Sequence, residues 1–346
     1  FMKKFRILCL VSAAAALLMS ALSCETIYDD IAPCVTEYRV KFKYEYNIKD
    51  VDAFHKEVES VDLWLFSTDG RLVWHGSESG EVLRNEDYRM TVPVEPGVYD
   101  AVVWGGLKDR PVYVLGADKP ESLNDLSVSL KTESDVDGTS YLGEDLTGLY
   151  NGFSRVVFEE PEFGGFSDVA VELKKNTNVI RVMLQYYRSE NASGKVMSPG
   201  DFDFFIEDSV SEMNYDNSIA GSSPFTYRWW MKNSVSAGFD FEEPGTITQV
   251  NGLLAERTVG RLMADRQPVL KVRRNVDGVE IIRLPLVKYL LMIKGEYRKK
   301  MGDQEFLDRL DEYNLTFFLD GDDKWYMAAG IHINSWVIVP EQDTEF

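Results

Sequence analysis

The sequence predicts an all-β protein with one or two short helices, folded as two β-sandwiches in tandem. Three observations carry this. Short runs alternate apolar and polar residues with period two. Gly- and Asp-containing turns separate them. No helical pattern recurs between them, so the strands lack the crossovers a parallel sheet needs and read as antiparallel. The chain has 346 residues and is 45% hydrophobic, enough for two cores of ordinary size.

The first strand is the clearest. Tyr38, Val40, Phe42, Tyr44 and Tyr46 alternate with Arg39, Lys41, Lys43 and Glu45, which predicts a half-buried strand over Glu37 to Tyr46. Val61 to Phe66 and Leu72 to Trp74 flank Thr68-Asp69-Gly70, a hairpin signal in which Gly supplies positive φ. Tyr88 to Val94 and Val98 to Trp104 flank Glu95-Pro96-Gly97 and predict a second hairpin, and Val169 to Leu173 continues the pattern. After Lys174-Lys175-Asn176-Thr177-Asn178 a new strand opens with Ile180, Val182, Leu184 and Tyr186, so the boundary between halves is placed near Lys174, giving domains 37–174 and 175–346.

The same grammar continues in the second half. Phe202, Phe204 and Ile206 alternate. Val269 to Arg273 and Val279 to Leu284 flank Asn275-Val276-Asp277-Gly278, and Leu315 to Leu319 and Trp325 to Ile333 flank Asp320-Gly321-Asp322-Asp323. One helix is expected, with Phe306, Leu307, Leu310 and Tyr313 on one face and Asp303 as N-cap.

At the N-terminus, Met2-Lys3-Lys4-Phe5-Arg6 precedes an apolar or small run from Ile7 to Met19, too short to span a bilayer but suited to a secretory signal over residues 1–23. Ser20-Ala21-Leu22-Ser23-Cys24 resembles a bacterial lipoprotein processing site, with Cys24 as the lipidated first residue; a simple cleaved signal is the alternative. Glu25 to Thr36 reads as a polar tether. Several acyl chains on Cys24 would hold the protein stably, at ~0.8 kcal/mol per buried CH₂.

Charge and composition narrow the function. Lys plus Arg is 37 against 57 Asp plus Glu, a formal charge of −20, which argues against nucleic acid or an anionic membrane face as a partner. With three Cys and three His, a disulfide scaffold is excluded and a Cys/His zinc site disfavoured. His55, His75 and His332 fall in different elements without ligand spacing. Gly76-Ser77-Glu78-Ser79-Gly80 has Glu at its centre and joins strands, unlike a nucleophile elbow. Asp135-Val136-Asp137-Gly138 and Asp320 to Asp323 read as turns before calcium loops. Tyr227-Arg228-Trp229-Trp230 reads as core before a sugar platform, since adjacent Trp on a strand face opposite ways.

Cys24 followed by Ile27-Tyr28-Asp29-Asp30 and Pro33-Cys34, then a long aromatic strand, resembles the Bacteroidales fimbrial anchor lipoproteins. Val98 to Leu107, ending Trp104-Gly105-Gly106-Leu107, resembles that family's aromatic-Gly-Gly strand. Lys175 to Val182 resembles the opening of its second domain. The resemblance implies two transthyretin-like β-sandwiches, no enzyme activity, no cofactor, and a lipid-anchored place on the outer membrane at the base of a fimbrium. There the family attaches the shaft, limits its length, and contacts shaft subunits through β-strand addition. Shaft subunits lose their first strand to a protease, whereas an anchor keeps it.

On this resemblance Tyr38, Val40, Phe42, Tyr44 and Tyr46 mark a retained first strand. Ile331, Ile333, Ser335, Val337 and Val339, within Ala328 to Val339, mark a C-terminal assembly strand. An ordinary core strand has the same pattern as a retained one, and the terminal run is apolar enough to be central. Three alternatives stay open: a shaft or tip subunit processed near Arg39, a glycan-binding surface lipoprotein using Trp229 or Trp230, and a β-sandwich hydrolase. Cys34 is open among buried thiol, intermolecular disulfide and second acylation site.

Overall fold

The computed structural model describes residues 36–108, 112–117, 119–162, 164–187, 195–229, 231–239, 247–295 and 299–340. Cys24, Cys34, the signal and most of the tether lie outside them. The first half holds β1 (Thr36–Lys43), helix α1 (Phe54–Glu57), β2 (Ser60–Ser67), β3 (Leu72–Ser79), β4 (Met90–Val92), β5 (Gly97–Gly105), β6 (Tyr113–Leu115), β7 (Val128–Leu130), β8 (Glu133–Ser134), β9 (Ser140–Leu142), β10 (Tyr150–Phe158), β11 (Gly165–Glu172) and β12 (Lys174–Lys175). The second holds β13 (Thr177–Tyr186), β14 (Phe202–Met213), β15 (Ile219–Arg228), β16 (Lys232–Phe239), β17 (Ile247–Gly260), β18 (Val269–Arg274) and β19 (Glu280–Pro285). Helices α2 (Leu286–Met292) and α3 (Asp303–Arg309) follow, then β20 (Glu312–Leu319), β21 (Ile331–Ile333) and β22 (Trp336–Ile338).

The fold is all-β, in four sheets. A three-stranded sheet, β11-β1-β4, covers a five-stranded one, β12-β10-β5-β2-β3, and their inner faces meet in one core. In the second half a six-stranded sheet, β16-β17-β13-β20-β21-β22, packs on β19-β18-β14-β15-β9-β8. Pairing is mostly antiparallel but not wholly so: β1 runs parallel to β11, β13 to β20 and β9 to β15. Each sandwich thus sets its opening strand between an antiparallel neighbour and a parallel late strand.

Local signals hold where one turn decides the pairing. The β2–β3 and β18–β19 hairpins form, with Gly70 and Gly278 at φ 85° and 72°. The second predicted hairpin does not form. β4 pairs with β1, whereas β5 pairs with β2 and β10, so Glu95-Pro96-Gly97 carries the chain from one sheet to the other. A Pro-Gly turn looks alike in a hairpin and in a crossover between layers; the partners, distant in sequence, decide. Helix α3 ends at Arg309 with Gly302 as N-cap, so Asp303 sits one place inside and Tyr313 belongs to β20. Trp325 to Ile333 is not one strand: Trp325 makes an isolated bridge to Leu319, and Met327–Ala329 coils as a 3₁₀ turn before β21.

Strands β2 and β5 are buried on both faces. Leu63, Leu65, Ala101 and Val103 point into the first core, while Trp64, Phe66, Val102 and Trp104 join the second. What covers the outer face is the chain between β5 and β10, which crosses to the second sandwich, where β7 pairs with β14 and β9 runs beside β15. The continuous apolar runs Leu63 to Phe66 and Ala101 to Trp104 are the signature of such two-sided burial.

The crossing segment is pinned by Arg257 of β17. Its guanidinium, 1% exposed, donates to the carbonyls of Leu142, Gly143 (2.8 Å) and Glu144. Burial pulls this group below its ordinary pKa, and beside it the Thr258 amide donates to Asp145 Oδ1 at 2.9 Å. Arg257→Met strands those carbonyls without water, so stability falls by about 3 kcal/mol. Thermal unfolding checks the loss, and amide exchange at residues 142–145 rises ahead of the rest of the chain.

Candidate functional site

The first strand sits in a groove between two others. All eight residues of β1 register against β11, Thr36 on Gly165 through Lys43 on Glu172, and Tyr38 to Val40 pair with Val92 to Met90 of β4. Tyr38, Val40, Phe42 and Tyr44 point into the core at 8%, 0%, 1% and 1% exposure. Phe42 stacks on Phe54 at 5.6 Å, Tyr38 meets Phe158 edge-on at 5.5 Å and Tyr44 meets Tyr150 at 5.3 Å. At about 1.5–3 kcal/mol per fully buried large apolar side chain, these four anchor β1 by on the order of 8 kcal/mol.

The strand stops at Lys43, three residues short of the predicted end. Asp52 Oδ1 accepts the Tyr44 amide at 3.0 Å, and Glu172 Oε1 accepts those of Glu45 and Tyr46 at 2.7 and 2.8 Å, taking the amides the ladder would have used. Tyr46 therefore leaves the core and lies half-buried beneath Arg309, whose guanidinium carbon is 4.2 Å from its ring centre. Arg309 also donates to Asn47 O at 3.2 Å and pairs with Asp50 at 2.6 Å, so the second sandwich clamps the exit of β1.

On the outer face Arg39 makes a two-pronged bond to Asp168 of β11, at 2.7 and 2.9 Å, and covers the exposed Phe166 ring at 3.5 Å. Arg89 adds a contact to Asp168 at 3.2 Å. The Arg39 bond, reinforced by both positive charges, holds the Asp168 carboxyl below its ordinary pKa against the opposing effect of burial. Arg39 is thus in the middle of a paired strand, where a protease cannot fit an extended backbone without unzipping it.

The C-terminal run departs from the expected single strand. Asn334, at φ 52°, turns the chain between β21 and β22, and its side chain bonds back to Asn314. Ile331 and Ile333 are fully buried, while Ser335, Val337 and Val339 are exposed, because the turn breaks the alternation. Among the described residues β22 is the outer strand of its sheet, and it carries no charged residue, with Trp336 and Val337 exposed at 46% and 39%. An uncharged free edge is a template for a further strand.

Other sequence candidates are absorbed locally. Trp229 stacks on Phe204 at 5.6 Å and is 5% exposed, hence core; Trp230 lies outside the described residues. His332 is buried against Phe318, and burial lowers its pKa; His55 sits 3.3 Å from Glu86. Asp135 pairs with Arg228, and Asp320 accepts the amides of Asp322 and Lys324 within its own turn. No group of three His, Cys, Asp or Glu is placed to hold a metal ion among the described residues.

Asp62, His75 and Ser77, which sequence reasoning did not join, meet across β2 and β3. A catalytic relay needs the imidazole between serine and carboxylate. Here Ser77 Oγ donates straight to Asp62, and one ring nitrogen, His75 Nε2, lies 3.4 Å from Ser77 Oγ and 3.6 Å from Asp62 Oδ1. The alternation of β3 was the available signal, since it puts His75 and Ser77 on one face.

The structure is thus a pair of β-sandwiches in which β1 lies between β11 and β4, and β22 ends its sheet among the described residues. That defines an all-β sandwich protein. The chain belongs to the family of fimbrillin-A associated anchor proteins Mfa1 and Mfa2, whose model matches residues 28–341. Membership makes it a fimbrial protein of the cell surface that interacts with other fimbrial subunits. A candidate adhesin from Bacteroides thetaiotaomicron is 33% identical, with a TM-score of 0.75 over 90% of this chain and 100% of that one. A second protein of that organism, described as a candidate polysaccharide-binding protein, is 26% identical with a TM-score of 0.71, covering 89% of this chain and 99% of its own. The fimbrial anchor protein Mfa2 from Porphyromonas gingivalis shares the fold at 18% identity and a TM-score of 0.62, over 89% and 100%. No curated protein matches significantly.

Phe42→Ala removes a ring the core cannot refill and lowers stability by about 3–5 kcal/mol, whereas Lys41→Ala, on the outer face, changes it by less than about 0.5 kcal/mol. Denaturant unfolding separates the two. Because the Asp168 pKa is lowered on folding, its stabilisation is present at neutral pH and lost as pH falls through the folded value, below the ordinary 3.8. Wild type is therefore more stable than Asp168→Asn at pH 7, and the gap in Tm closes on acidification below that point.

Proposed function

We propose that this chain is a non-enzymatic fimbrial anchor that stays on the outer membrane through lipid on Cys24, keeps its first strand, and receives the shaft at its C-terminal edge. The observation that carries the reading is the full-length pairing of β1 with β11, capped at its exit by Arg309. A groove so filled offers no place for a neighbour's strand, so addition ends at this subunit and shaft length is limited from the base. The outer edge of β22 offers what the groove does not: a strand edge with no neighbouring strand among the described residues, flanked by exposed Trp336 and Val337. The tether from Glu25 to Thr36 separates the lipid from the strand it precedes.

Intact mass and N-terminal identification of the membrane-extracted protein test the first part. The expected species begins at a lipid-bearing Cys24 and still contains Thr36–Lys43; a chain beginning at or just after Arg39 would make it a polymerising shaft or tip subunit instead. Cys24→Ala is expected to release fimbriae into the medium. Val337→Lys places a charge on the open edge and leaves the core untouched, so the protein folds and reaches the membrane while fewer shafts remain per cell, counted by electron microscopy.

A further inference from the structure

The protein carries a formal charge of −20, yet one depression of about 490 Å³ is lined by three cations and a single carboxylate. It lies between the β18–β19 hairpin, which supplies Arg274, Glu280 and Arg283, and the stretch after β20, which supplies Lys324, Trp325 and Met327. Glu280 is already shared, 3.3 Å from Arg283 and 3.6 Å from Lys271. Arg274 is committed to Asp277 through bonds of 3.1 and 2.6 Å. Lys324 differs. Asp320 Oδ1 accepts its backbone amide at 3.0 Å and fixes the base of the side chain, while its ammonium has no partner among the described residues.

The described chain ends beside this depression. β22 runs antiparallel to β21 with Ile338 opposite Ile331, so the residues after Ile338 head back past Gly330 toward the Met327–Ala329 turn, whose first residue lines the depression. The approach is close: a Cβ on Gly330 would meet Ile338 O at 2.9 Å and a Val337 methyl at 3.0 Å. Pro340, the last described residue, is buried. Glu341, Asp343 and Glu345 follow it, with Phe346 and no cation. Six residues extend to about 20 Å, more than the width of a depression of this volume.

We propose that residues 341–346 of this same chain dock in the depression, their carboxylates against Lys324 and Arg283 and the Phe346 ring against Trp325 and Met327. Charge and tethering both select this occupant. An acidic segment arriving on another molecule must approach against the field of a strongly negative protein. A segment joined to β22 is already present at an effective concentration on the order of millimolar. Docking also has a structural use. β22 is held to β21 by three residue pairs, and the docked segment secures this short edge strand beyond its last pair, through charges that salt can screen. The inference needs neither lipid on Cys24 nor a shaft, so it stands or falls independently of the anchoring role.

The test is zero-length crosslinking of the full chain with a carbodiimide, which joins a carboxylate to an amine in direct contact, followed by peptide mass spectrometry. The expected product joins Lys324 to Glu341, Asp343 or Glu345, and its yield falls about fivefold or more between roughly 50 mM and 1 M NaCl. Mixing isotopically labelled with unlabelled protein is expected to leave both ends of the crosslink with the same label. Hydrogen exchange supplies a second readout that leaves the core untouched. Asp343→Lys with Glu345→Lys should speed amide exchange at residues 279–283 and 324–327, and adding Arg283→Glu with Lys324→Glu should restore the protection. Absence of the crosslink, joining of residues 341–346 to other lysines alone, mixed labels that make a second copy the occupant, or exchange unchanged by the charge reversal would each overturn the assignment.

Discussion

An eight-residue parallel ladder between β1 and β11 is the constraint on which the first sandwich depends. It joins residues such as Arg39 and Asp168, 129 positions apart, so the loop it closes contains nearly the whole domain. Without β1 the small sheet would be reduced to β11 and β4, which are not paired with each other, and the core above β2 and β5 would lie open. The side chains that make β1 hard to remove are the ones a donated strand would have to supply in its place. Retention and complementation are the same physics seen from two sides.

The second sandwich repeats this arrangement, with β13 between β17 and β20. The difference lies in connectivity. β13 follows β12 directly, with Asn176 between them, and that asparagine exchanges two amide hydrogen bonds with Asn217, at 2.6 and 3.0 Å, in a buried pair. Near it, Arg261 grips Asp308 through two bonds of 2.8 and 2.7 Å and donates to Asn217 O at 2.7 Å, so α3 is fixed to the junction. The next residue, Arg309, reaches across to Asn47 and Asp50. Polar groups buried in this way are satisfied in one arrangement only, which holds the halves in register where apolar packing alone would slide.

The same logic explains the crossing segment. β2 and β5 bring Trp64 and Trp104 outward, and a sheet face carrying two indoles cannot be left in water. The chain between β5 and β10 covers it by adding strands to the neighbouring sheet, and Arg257 ties the return. The halves are thereby bound in both covalent order and sheet pairing.

The amino-acid sequence alone determined which residues of a strand face inward, because alternation is a local property. Tyr38, Val40, Phe42 and Tyr44 were legible for that reason, as were Ile180, Val182 and Leu184, and so were the turns at Gly70 and Gly278, where only glycine is comfortable. It also carried the family, in residues such as the Trp104-Gly105-Gly106 step. Tertiary structure alone decided which strands become partners. β4 and β5 part at a turn that looks like a hairpin, β1 finds β11 across the whole domain, and Ser335 and Val337 leave the core because Asn334 turns the chain. Asp62, His75 and Ser77 became neighbours only through the β2–β3 register. Pairing is a contest among distant segments for the same main-chain groups, and no window of sequence contains all the contestants.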